Sequence, residues 1–226
     1  MNIKNLKILG FIPARNGSKR IKNKNLRLFK NKPLIYYTIN ASIKSKYISK
    51  TVVYSDSKKI NNFANKYKID INCYRPKLVS RDKTSMYETI RYFLNKNKQY
   101  KNYDFFALLQ PTSPLRTYTD INKAVIKLCK DKKAEGIVST FKIKKLNKNY
   151  PNKFMFQNKK YLKKTKLMKS SNLKKLYLRN GPAIFIFKPK RLKKNLYNIK
   201  LLNYVMEEKK SLDINYPEEL NPHKYL

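Results

Sequence analysis

The stretch Ile8-Leu9-Gly10-Phe11-Ile12-Pro13-Ala14-Arg15-Asn16-Gly17-Ser18-Lys19, continued by Lys24-Asn25, decides how the fold can be interpreted. Its first five residues are apolar and have the length of one buried strand. The residues that follow combine a proline, a glycine, a serine and cations, so that backbone N–H groups and positive charge can surround a polyphosphate. This order predicts a ligand at the carboxyl end of the first strand of an open α/β sheet.

The loop matches neither of two common phosphate-binding patterns. It lacks Gly-x-x-x-x-Gly-Lys-Ser/Thr, and it lacks Gly-x-Gly-x-x-Gly. On composition alone, a surface loop of a lysine-rich protein explains the stretch equally well. The interpretation therefore depends on which other residues the chain brings to the same place.

Length and composition favour one folded α/β domain. The chain has 226 residues, and its hydrophobic content of 41% argues against wholesale disorder. It contains no apolar run of the roughly 18 residues that would span a membrane. The N-terminus, residues 1–5, lacks the apolar core of a signal peptide. We therefore expect a cytoplasmic protein without membrane association.

The formal net charge of +41 has two interpretations. It could attract polyanions such as nucleic acid or nucleotides. Alternatively, it could reflect codon bias, since lysine, asparagine, isoleucine and tyrosine are abundant while glycine is scarce. The lysines are spread along the whole chain and no nucleic-acid-binding motif is visible, which favours codon bias over a nucleic-acid partner.

Few residues could serve as soft metal ligands or as a histidine base. Cys73 and Cys129 are far apart in sequence, and His223 stands alone near the C-terminus. Neither a zinc site nor a disulfide framework is indicated. Acid–base chemistry would therefore have to use carboxylates, lysines or the substrate itself.

Hydrophobic periodicity predicts a doubly wound α/β fold with a mostly parallel sheet. The predicted strands cover residues 8–12, 51–55, 69–74, 105–109, 137–140, 183–187 and 211–215. Helices are predicted after Pro33, after Ser57, after a capping box that begins at Ser85, and after a cap at Thr119-Asp120. The pattern degrades over about 141–180, which we interpret as an inserted hairpin or arm of a single domain spanning residues 1–226. This arm would contact a partner subunit or the substrate.

Loops that follow parallel strands open on one edge of the sheet. Four such loops carry unusual polar residues: 15–25, Ser55-Asp56, 110–116 and Asp213-Ile214-Asn215. A lone carboxylate, Asp213, opposite a cationic loop is what a Mg²⁺–nucleotide site requires. Without a histidine base, nucleotidyl transfer by positioning and electrostatics fits better than hydrolysis.

Two long motifs resemble those of the acylneuraminate cytidylyltransferases, the CMP-sialic acid synthetases and their legionaminic and pseudaminic acid relatives. These motifs are residues 12–19 with Lys24-Asn25, and Leu108-Leu109-Gln110-Pro111-Thr112-Ser113-Pro114-Leu115-Arg116. Shorter collinear matches occur at Ser55-Asp56-Ser57, Arg75-Pro76, Asn180-Gly181 and 211–215. The related Kdo enzymes have a proline where Asn25 stands, so they match less well.

The resemblance implies a nucleotide-diphosphosugar-transferase-like fold, a homodimer, and a reaction of CTP with a nine-carbon acidic sugar that yields a CMP-sugar and pyrophosphate, with Mg²⁺ as cofactor. By this analogy the nucleotide-binding residues are Arg15, Asn16, Gly17, Ser18, Lys19, Lys24, Asn25, Arg75, Thr84 and Ser85. Arg15, Lys24 and Gln110 would be catalytic. Gln110, Asn180 and Gly181 would contact the sugar, and Asp213 with Asn215 would hold the metal.

Two departures from the family pattern concern the metal and the sugar. The family usually has Asp-x-Asp where this chain has Asp213-Ile214-Asn215, and an uncharged amide predicts weaker metal affinity. An arginine-containing family segment is replaced by 169–174, where lysine offers only a point charge to a sugar carboxylate.

Simpler interpretations remain for several residues. Asp56 could cap the next helix, Arg116 could brace its own loop, and Asn180-Gly181 could be only a turn. The alternatives for the whole chain are a sugar nucleotidyltransferase with another base or sugar, and a basic nucleic-acid-binding protein.

Overall fold

The computed structural model describes residues 3–67, 69, 74–142, 154–164 and 176–221. The helices are α1 (Leu34–Ile43), α2 (Lys58–Asn65), α3 (Met86–Lys96) and α4 (Tyr118–Cys129). The strands are β1 (Ile8–Pro13), β2 (Leu28–Phe29), β3 (Lys32–Pro33), β4 (Lys50–Tyr54), β5 (Phe105–Leu108), β6 (Gly136–Lys142), β7 (Phe154–Asn158), β8 (Tyr161–Lys164), β9 (Leu176–Arg179), β10 (Phe185–Phe187) and β11 (Leu201–Val205).

Nine strands form one sheet in the order β11-β8-β7-β9-β6-β10-β5-β1-β4, and β11 also pairs with β6. β1 runs parallel to β4 and β5, and β11 runs parallel to β6. β10 is antiparallel to both β5 and β6, and β7 is antiparallel to β8 and β9. The α/β class is therefore right, but the prediction of a mostly parallel sheet is wrong. Parallel pairing requires long crossovers, and the second half of the chain instead makes short connections such as the β7–β8 hairpin.

The central strands are buried on both faces because helices cover both sides. Ile8 and Ile12 of β1 belong to the core on the side of α1, α2 and α4. Leu9 and Phe11 belong to the core on the side of α3. This alternation follows from the two-residue period of a strand, and it explains why the run is apolar without interruption.

Several predicted elements are absent from the structure, pair differently in it, or lie mostly outside the described residues. Residues 211–215 form no strand, so that prediction is wrong, and β11 was not predicted. The described parts of 141–180 form the end of β6 and the strands β7, β8 and β9 of the sheet itself. A role of this segment at a partner subunit stays a prediction. The predicted strand 69–74 lies almost entirely outside the described residues.

The predicted N-terminal cap is present at α3 but not at α4. Ser85 and Glu88 form the expected capping box at α3. At α4 the cap is Thr117, whose box is completed by Asp120, so the predicted cap at Thr119 is wrong. Ser57, and not Asp56, caps α2.

The aromatic core beneath α3 gives a test of this packing. Phe93 is fully buried, and its ring centroid lies 4.8 Å from that of Phe11 and 5.2 Å from that of Tyr54. Phe93→Ala should lower the free energy of unfolding by about 3–5 kcal/mol, because it removes these contacts and leaves a cavity. Urea denaturation measures the change. Arg91→Ala on the exposed face of α3 is the control and should stay within about 0.5 kcal/mol; equal effects would show that Phe93 is not a core residue.

Candidate active site

A cavity of about 250 Å³ lies at the carboxyl ends of β1 and β5. We call it the nucleotide cavity. The predicted site residues among those that line it are Arg15, Ser18, Lys24, Asn25, Arg75, Thr84 and Gln110. Two of the loops predicted to share one edge of the sheet, 15–25 and 110–116, therefore meet at this cavity. Their lining residues lie up to 95 positions apart in the chain.

The loop after β1 is held in place by its own backbone and by Asn25. The Ala14 N–H donates to the carbonyl of Tyr54 at 3.0 Å, which extends the β1–β4 pairing into the loop. The buried amide of Asn25 donates from Nδ2 to the carbonyl of Arg15 at 3.0 Å. The Asn16 N–H donates to Asp56 Oδ1 at 2.7 Å. Asn25 thus shapes the loop, and Asp56 fixes its outer turn.

Several predicted nucleotide-binding residues do not line this cavity. Asn16, Gly17 and Lys19 are exposed on the outer turn of the loop. A Cβ added to Gly17 would meet no described atom within 4 Å. Ser85 caps α3 through its side chain. Their roles as ligands stay predictions.

Arg75 is buried, and its guanidinium is used within the protein. Its Nε donates to the carbonyl of Val79 at 3.0 Å, and Nη2 donates to Thr89 Oγ1 at 3.2 Å. Burial lowers the pKa of Arg75, and the nearby charge of Asp56 opposes that shift. Arg75 therefore ties the loop before α3 to that helix at the wall of the nucleotide cavity.

A second cavity of about 250 Å³ lies next to the loop 211–215. We call it the C-terminal cavity. Its lining includes the predicted sugar residue Asn180 and the predicted metal residues Asp213 and Asn215, together with Arg179, Lys209 and Glu219. Asn180 is thus a neighbour of both predicted metal residues, whereas the predicted sugar residue Gln110 lines the nucleotide cavity.

Asn180 is buried, and its side chain bonds to other protein groups. Its Oδ1 accepts from Ser139 Oγ at 2.7 Å, and its Nδ2 donates to Ser211 Oγ at 3.1 Å. A further donation reaches the sulfur of Met206 at 3.2 Å. Asn180 thus connects β6, the end of β9 and the loop 211–215, so its amide is engaged without a sugar.

Gly181 is the point where the loops meet. Its φ of +116° is a conformation that favours glycine. A Cβ there would lie 3.0 Å from Ser113 Oγ and 3.5 Å from Asp213 Oδ1. If Asn180-Gly181 were only a turn, nothing would require this close approach to two other loops.

The ammonium group of Lys24 connects the two cavities. Its Nζ donates to the carbonyl of Ile214 at 2.9 Å. Burial lowers the pKa of Lys24, and the cations Arg20 and Arg15 act in the same direction, while Asp213 and Glu219 oppose it. Lys24, a cation of the loop after β1, is therefore fixed directly to the loop 211–215, which carries the predicted metal residues.

The loop that carries Asp213 is held by neighbouring groups. The Ile214 N–H donates to the carbonyl of Thr112 at 2.8 Å. Asn215 Nδ2 donates to the carbonyl of Asp213 at 2.8 Å, and the Asn215 N–H donates to the carboxylate of Glu219. Within the described residues, no group of three or more His, Cys, Asp or Glu side chains could hold a metal.

Arg116 braces the site from below. It is fully buried, and Nη1 donates to the carbonyls of Ala183 at 2.7 Å and Gln110 at 3.3 Å. Its Nη2 donates to Thr38 Oγ1 at 2.6 Å. Burial lowers the pKa of Arg116 to about 9, so the group remains charged at neutral pH. The interpretation of Arg116 as a structural brace is confirmed.

Comparison with known proteins decides the family. A family model described as cytidylyltransferase matches residues 9–216. The chain belongs to the cytidylyltransferase family.

Individual relatives agree with the resemblance seen in the motifs. The chain is 35% identical over 217 residues to an N-acylneuraminate cytidylyltransferase of Escherichia coli, which covers 92% of this chain and 49% of that protein. It is 40% identical over 121 residues to a CMP-N,N'-diacetyllegionaminic acid synthase of Legionella pneumophila, covering 53% and 52%. The chain spans about half the length of these curated relatives.

Solved structures confirm the fold. A CMP:2-keto-3-deoxy-manno-octonic acid synthetase complexed with CTP superimposes with a TM-score of 0.74 at 15% identity, covering 96% of this chain and 97% of that one. A 4-diphosphocytidyl-2C-methyl-D-erythritol synthase from Anaerococcus prevotii gives 0.65 at 14% identity, covering 95% of each chain. The chain therefore has the α/β fold shared by these enzymes.

Sequence reasoning missed Asp82, Arg179 and Glu219. Asp82 lines the nucleotide cavity and forms ion pairs with Arg15 and Lys19. Arg179 and Glu219 line the C-terminal cavity. Asp82 follows Arg75-Pro76 on the predicted ligand side of the sheet, and that position could have drawn attention to it. No helix in the described part of the chain is long and apolar enough to span a membrane.

Two glycine substitutions test the loop geometry. Gly181→Ala should lower the free energy of unfolding by about 1–3 kcal/mol, because a side chain at this φ is strained and crowds Ser113. Gly17→Ala is the matched control and should change stability by less than about 1 kcal/mol, since its Cβ meets open space. Thermal or urea unfolding measures both. Similar losses at the two positions would contradict the close approach at Gly181.

Proposed function

We propose that this chain activates a sialic-acid-like nonulosonic acid with CTP, giving a CMP-sugar and pyrophosphate. One observation carries the proposal: Lys24 lines the nucleotide cavity and donates a hydrogen bond to the loop of Asp213 in the adjacent C-terminal cavity. A cation for the triphosphate and a carboxylate for a metal are therefore part of one connected site. Membership of the cytidylyltransferase family supports CTP as the nucleotide.

In this proposal Arg15, Ser18, Lys19 and Lys24 bind the triphosphate, with Gly17 offering its backbone N–H. Asn16 positions this turn, because its own N–H donates to Asp56. The anomeric hydroxyl of the sugar attacks the α-phosphate in line, its proton passes to water or to the departing pyrophosphate, and the bond from that phosphorus to the bridging oxygen of the pyrophosphate breaks. Cations at the leaving group stabilise the developing negative charge. Gln110 would orient the sugar from the nucleotide cavity, which it lines. Its backbone carbonyl and that of Ala183, two residues after Gly181, accept from the same nitrogen of Arg116, so the two loops are neighbours.

The cytidine would lie toward α3. Thr84 and Arg75 line that wall of the nucleotide cavity together with Met86. Since the Arg75 guanidinium already bonds Val79 and Thr89, we assign it to positioning of the base pocket. Ser85 would act through its fixed position at the start of α3.

The oxygen donors of the C-terminal cavity fit Mg²⁺. Asp213 offers a carboxylate and Asn215 an amide oxygen, and Mg²⁺ commonly takes one or two protein oxygens and completes its shell with phosphates and water. Bound there, the ion would neutralise phosphate charge. Asp213 would hold it, while the hydrogen bond of Asn215 to the Asp213 carbonyl keeps the loop in shape.

The sugar would occupy the C-terminal cavity, which Asn180 lines, and Gly181 would keep the loops of Ser113 and Asp213 close together beside it. Arg179 and Lys209 line this cavity and could pair with the carboxylate of an acidic sugar. The segment 169–174, which departs from the family pattern, lies outside the described residues. The homodimer implied by the resemblance is part of the proposal, and sedimentation velocity would check it.

Pyrophosphate release tests the function directly. The protein is incubated with each NTP, Mg²⁺ and a panel of neuraminic, legionaminic and pseudaminic acids, with Kdo for comparison. We expect turnover with CTP and at least one nine-carbon acid. Turnover with another nucleotide or only with Kdo would favour a different sugar nucleotidyltransferase, and no turnover with any sugar under CTP would overturn the proposal.

Lys24→Ala tests the link between the cavities. It should abolish most activity and weaken CTP binding at least about tenfold, because a buried charge at the phosphates is lost. Loss of the hydrogen bond to the Ile214 carbonyl should also lower the free energy of unfolding by about 1–3 kcal/mol, so CTP binding is compared at a temperature where both proteins are folded. Lys22→Ala on the exposed side of the same loop is the control. Unchanged CTP affinity in Lys24→Ala would remove Lys24 from the triphosphate site.

Asn215→Asp tests the metal position. If Asn215 faces the ion, a second carboxylate should tighten Mn²⁺ binding about three- to tenfold, measured by electron paramagnetic resonance with CTP present. The same change removes the donor to the Asp213 carbonyl and should cost about 1–3 kcal/mol of stability. Unaltered Mn²⁺ affinity together with lower stability would make Asn215 purely structural.

A further inference from the structure

Asp82 bridges two cations of the phosphate loop with its two carboxylate oxygens. Oδ1 pairs with the guanidinium of Arg15, and Oδ2 lies 2.9 Å from Lys19 Nζ. Asp82 comes from the segment before α3, 67 residues away from Arg15 in the chain. The contact therefore links two segments of the chain, those of Arg15 and Asp82, that both line the nucleotide cavity.

This arrangement imitates a bound phosphate. A phosphate group presents two or more oxygens to neighbouring cations, and the carboxylate of Asp82 presents two oxygens to the same pair. Hydrogen bonds from Lys19 and Arg15 lower the pKa of Asp82, so the group is negatively charged at neutral pH. The cations proposed for the triphosphate thus already have an anionic partner.

We infer that Asp82 is an internal counter-anion that occupies the place of a phosphate in the nucleotide cavity and weakens the binding of triphosphate and pyrophosphate. The inference rests on the proposed function, because that function supplies the phosphate ligands. A phosphate that approaches Arg15 and Lys19 must displace the carboxylate or lie close to a like charge, and both outcomes disfavour binding.

The exposure of the side chains of Arg15, Asp82 and Lys19 indicates that little free energy is needed for a phosphate to replace the carboxylate. The exposed fraction is 33% for Arg15, 41% for Asp82 and 76% for Lys19. Ion pairs in such surroundings are weak and are screened by salt. Asp82 therefore lowers phosphate affinity only a few-fold, and a ligand of higher charge still displaces it.

Asp82 should weaken the binding of the product, pyrophosphate, more than the binding of the substrate, CTP. CTP would also be held through its base and ribose, whereas pyrophosphate is held through phosphate contacts alone. After transfer, the carboxylate of Asp82 can return to Arg15 and Lys19 as pyrophosphate leaves. Asp82 is in this sense a positioning residue for product release and does not touch the reacting atoms.

Isothermal titration calorimetry with pyrophosphate and with CTP tests the inference on the full chain. Asp82→Asn and Asp82→Ala should bind pyrophosphate about two- to fivefold more tightly than the unaltered protein at low ionic strength. The difference should shrink as salt is raised. Glu135→Gln is the matched control, since Glu135 pairs with Arg191 at 2.9 Å on the amino side of β6, away from the nucleotide cavity.

The outcomes separate the inference from the function on which it rests. Tighter pyrophosphate binding in both Asp82 variants, with Glu135→Gln unchanged, supports the inference. Unchanged or weaker binding in either variant overturns it, because Asp82 would then help to order the cations. If the unaltered protein binds pyrophosphate but shows no preference for CTP among nucleotides, the proposed function fails while the result for Asp82 still stands.

Discussion

The buried guanidinium of Arg116 is the contact on which the rest of the site depends. It joins α1, the loop after β5 and the segment before β10 through Thr38, Gln110 and Ala183. A buried charge is costly, and here the donations from Nη1 and Nη2 offset that cost, although the buried Nε has no partner among the described residues. Since β10 runs antiparallel between β5 and β6, the loop after β5 and the segment before β10 emerge on the same edge of the sheet. Arg116 fixes their separation there, and the positions of Gln110 and Gly181 follow from it.

The sequence predicts those elements whose own residues carry a local signal of their structure. The unbroken apolar run of β5 and the box at Ser85 are local signals, and both were interpreted correctly. Residues 211–215 misled because Leu212 and Ile214 alternate with polar residues like a strand. Their N–H groups instead reach the loop of Thr112 and the carboxylate of Glu219, and no local pattern reveals such partners.

The direction of the later strands could not be predicted for a different reason. Strand pairing depends on which edges are open when the chain returns to the sheet, and lysine-rich hairpins give weak registers. For the site, the order of strands and loops was enough to predict that Arg15, Lys24 and Gln110 lie close together. Asp213 lines the adjacent cavity, on the loop that Lys24 contacts. The order of strands and loops could not show that Asn25, Arg75 and Asn180 already bond to protein groups, because the internal partners of a polar side chain depend on packing.

The scarcity of glycine gives Gly17 a particular meaning. The chain has only four glycines. At Gly10 a methyl group would lie 2.5 Å from Ser42 Oγ, and at Gly136 it would lie 2.6 Å from the carbonyl of Ile186. Gly181 has its left-handed backbone, so three of the four glycines are accounted for by the protein's own atoms. Gly17 is not, because the described atoms leave open space around it. The proposed triphosphate would lie against the backbone at that point and would supply the missing neighbour.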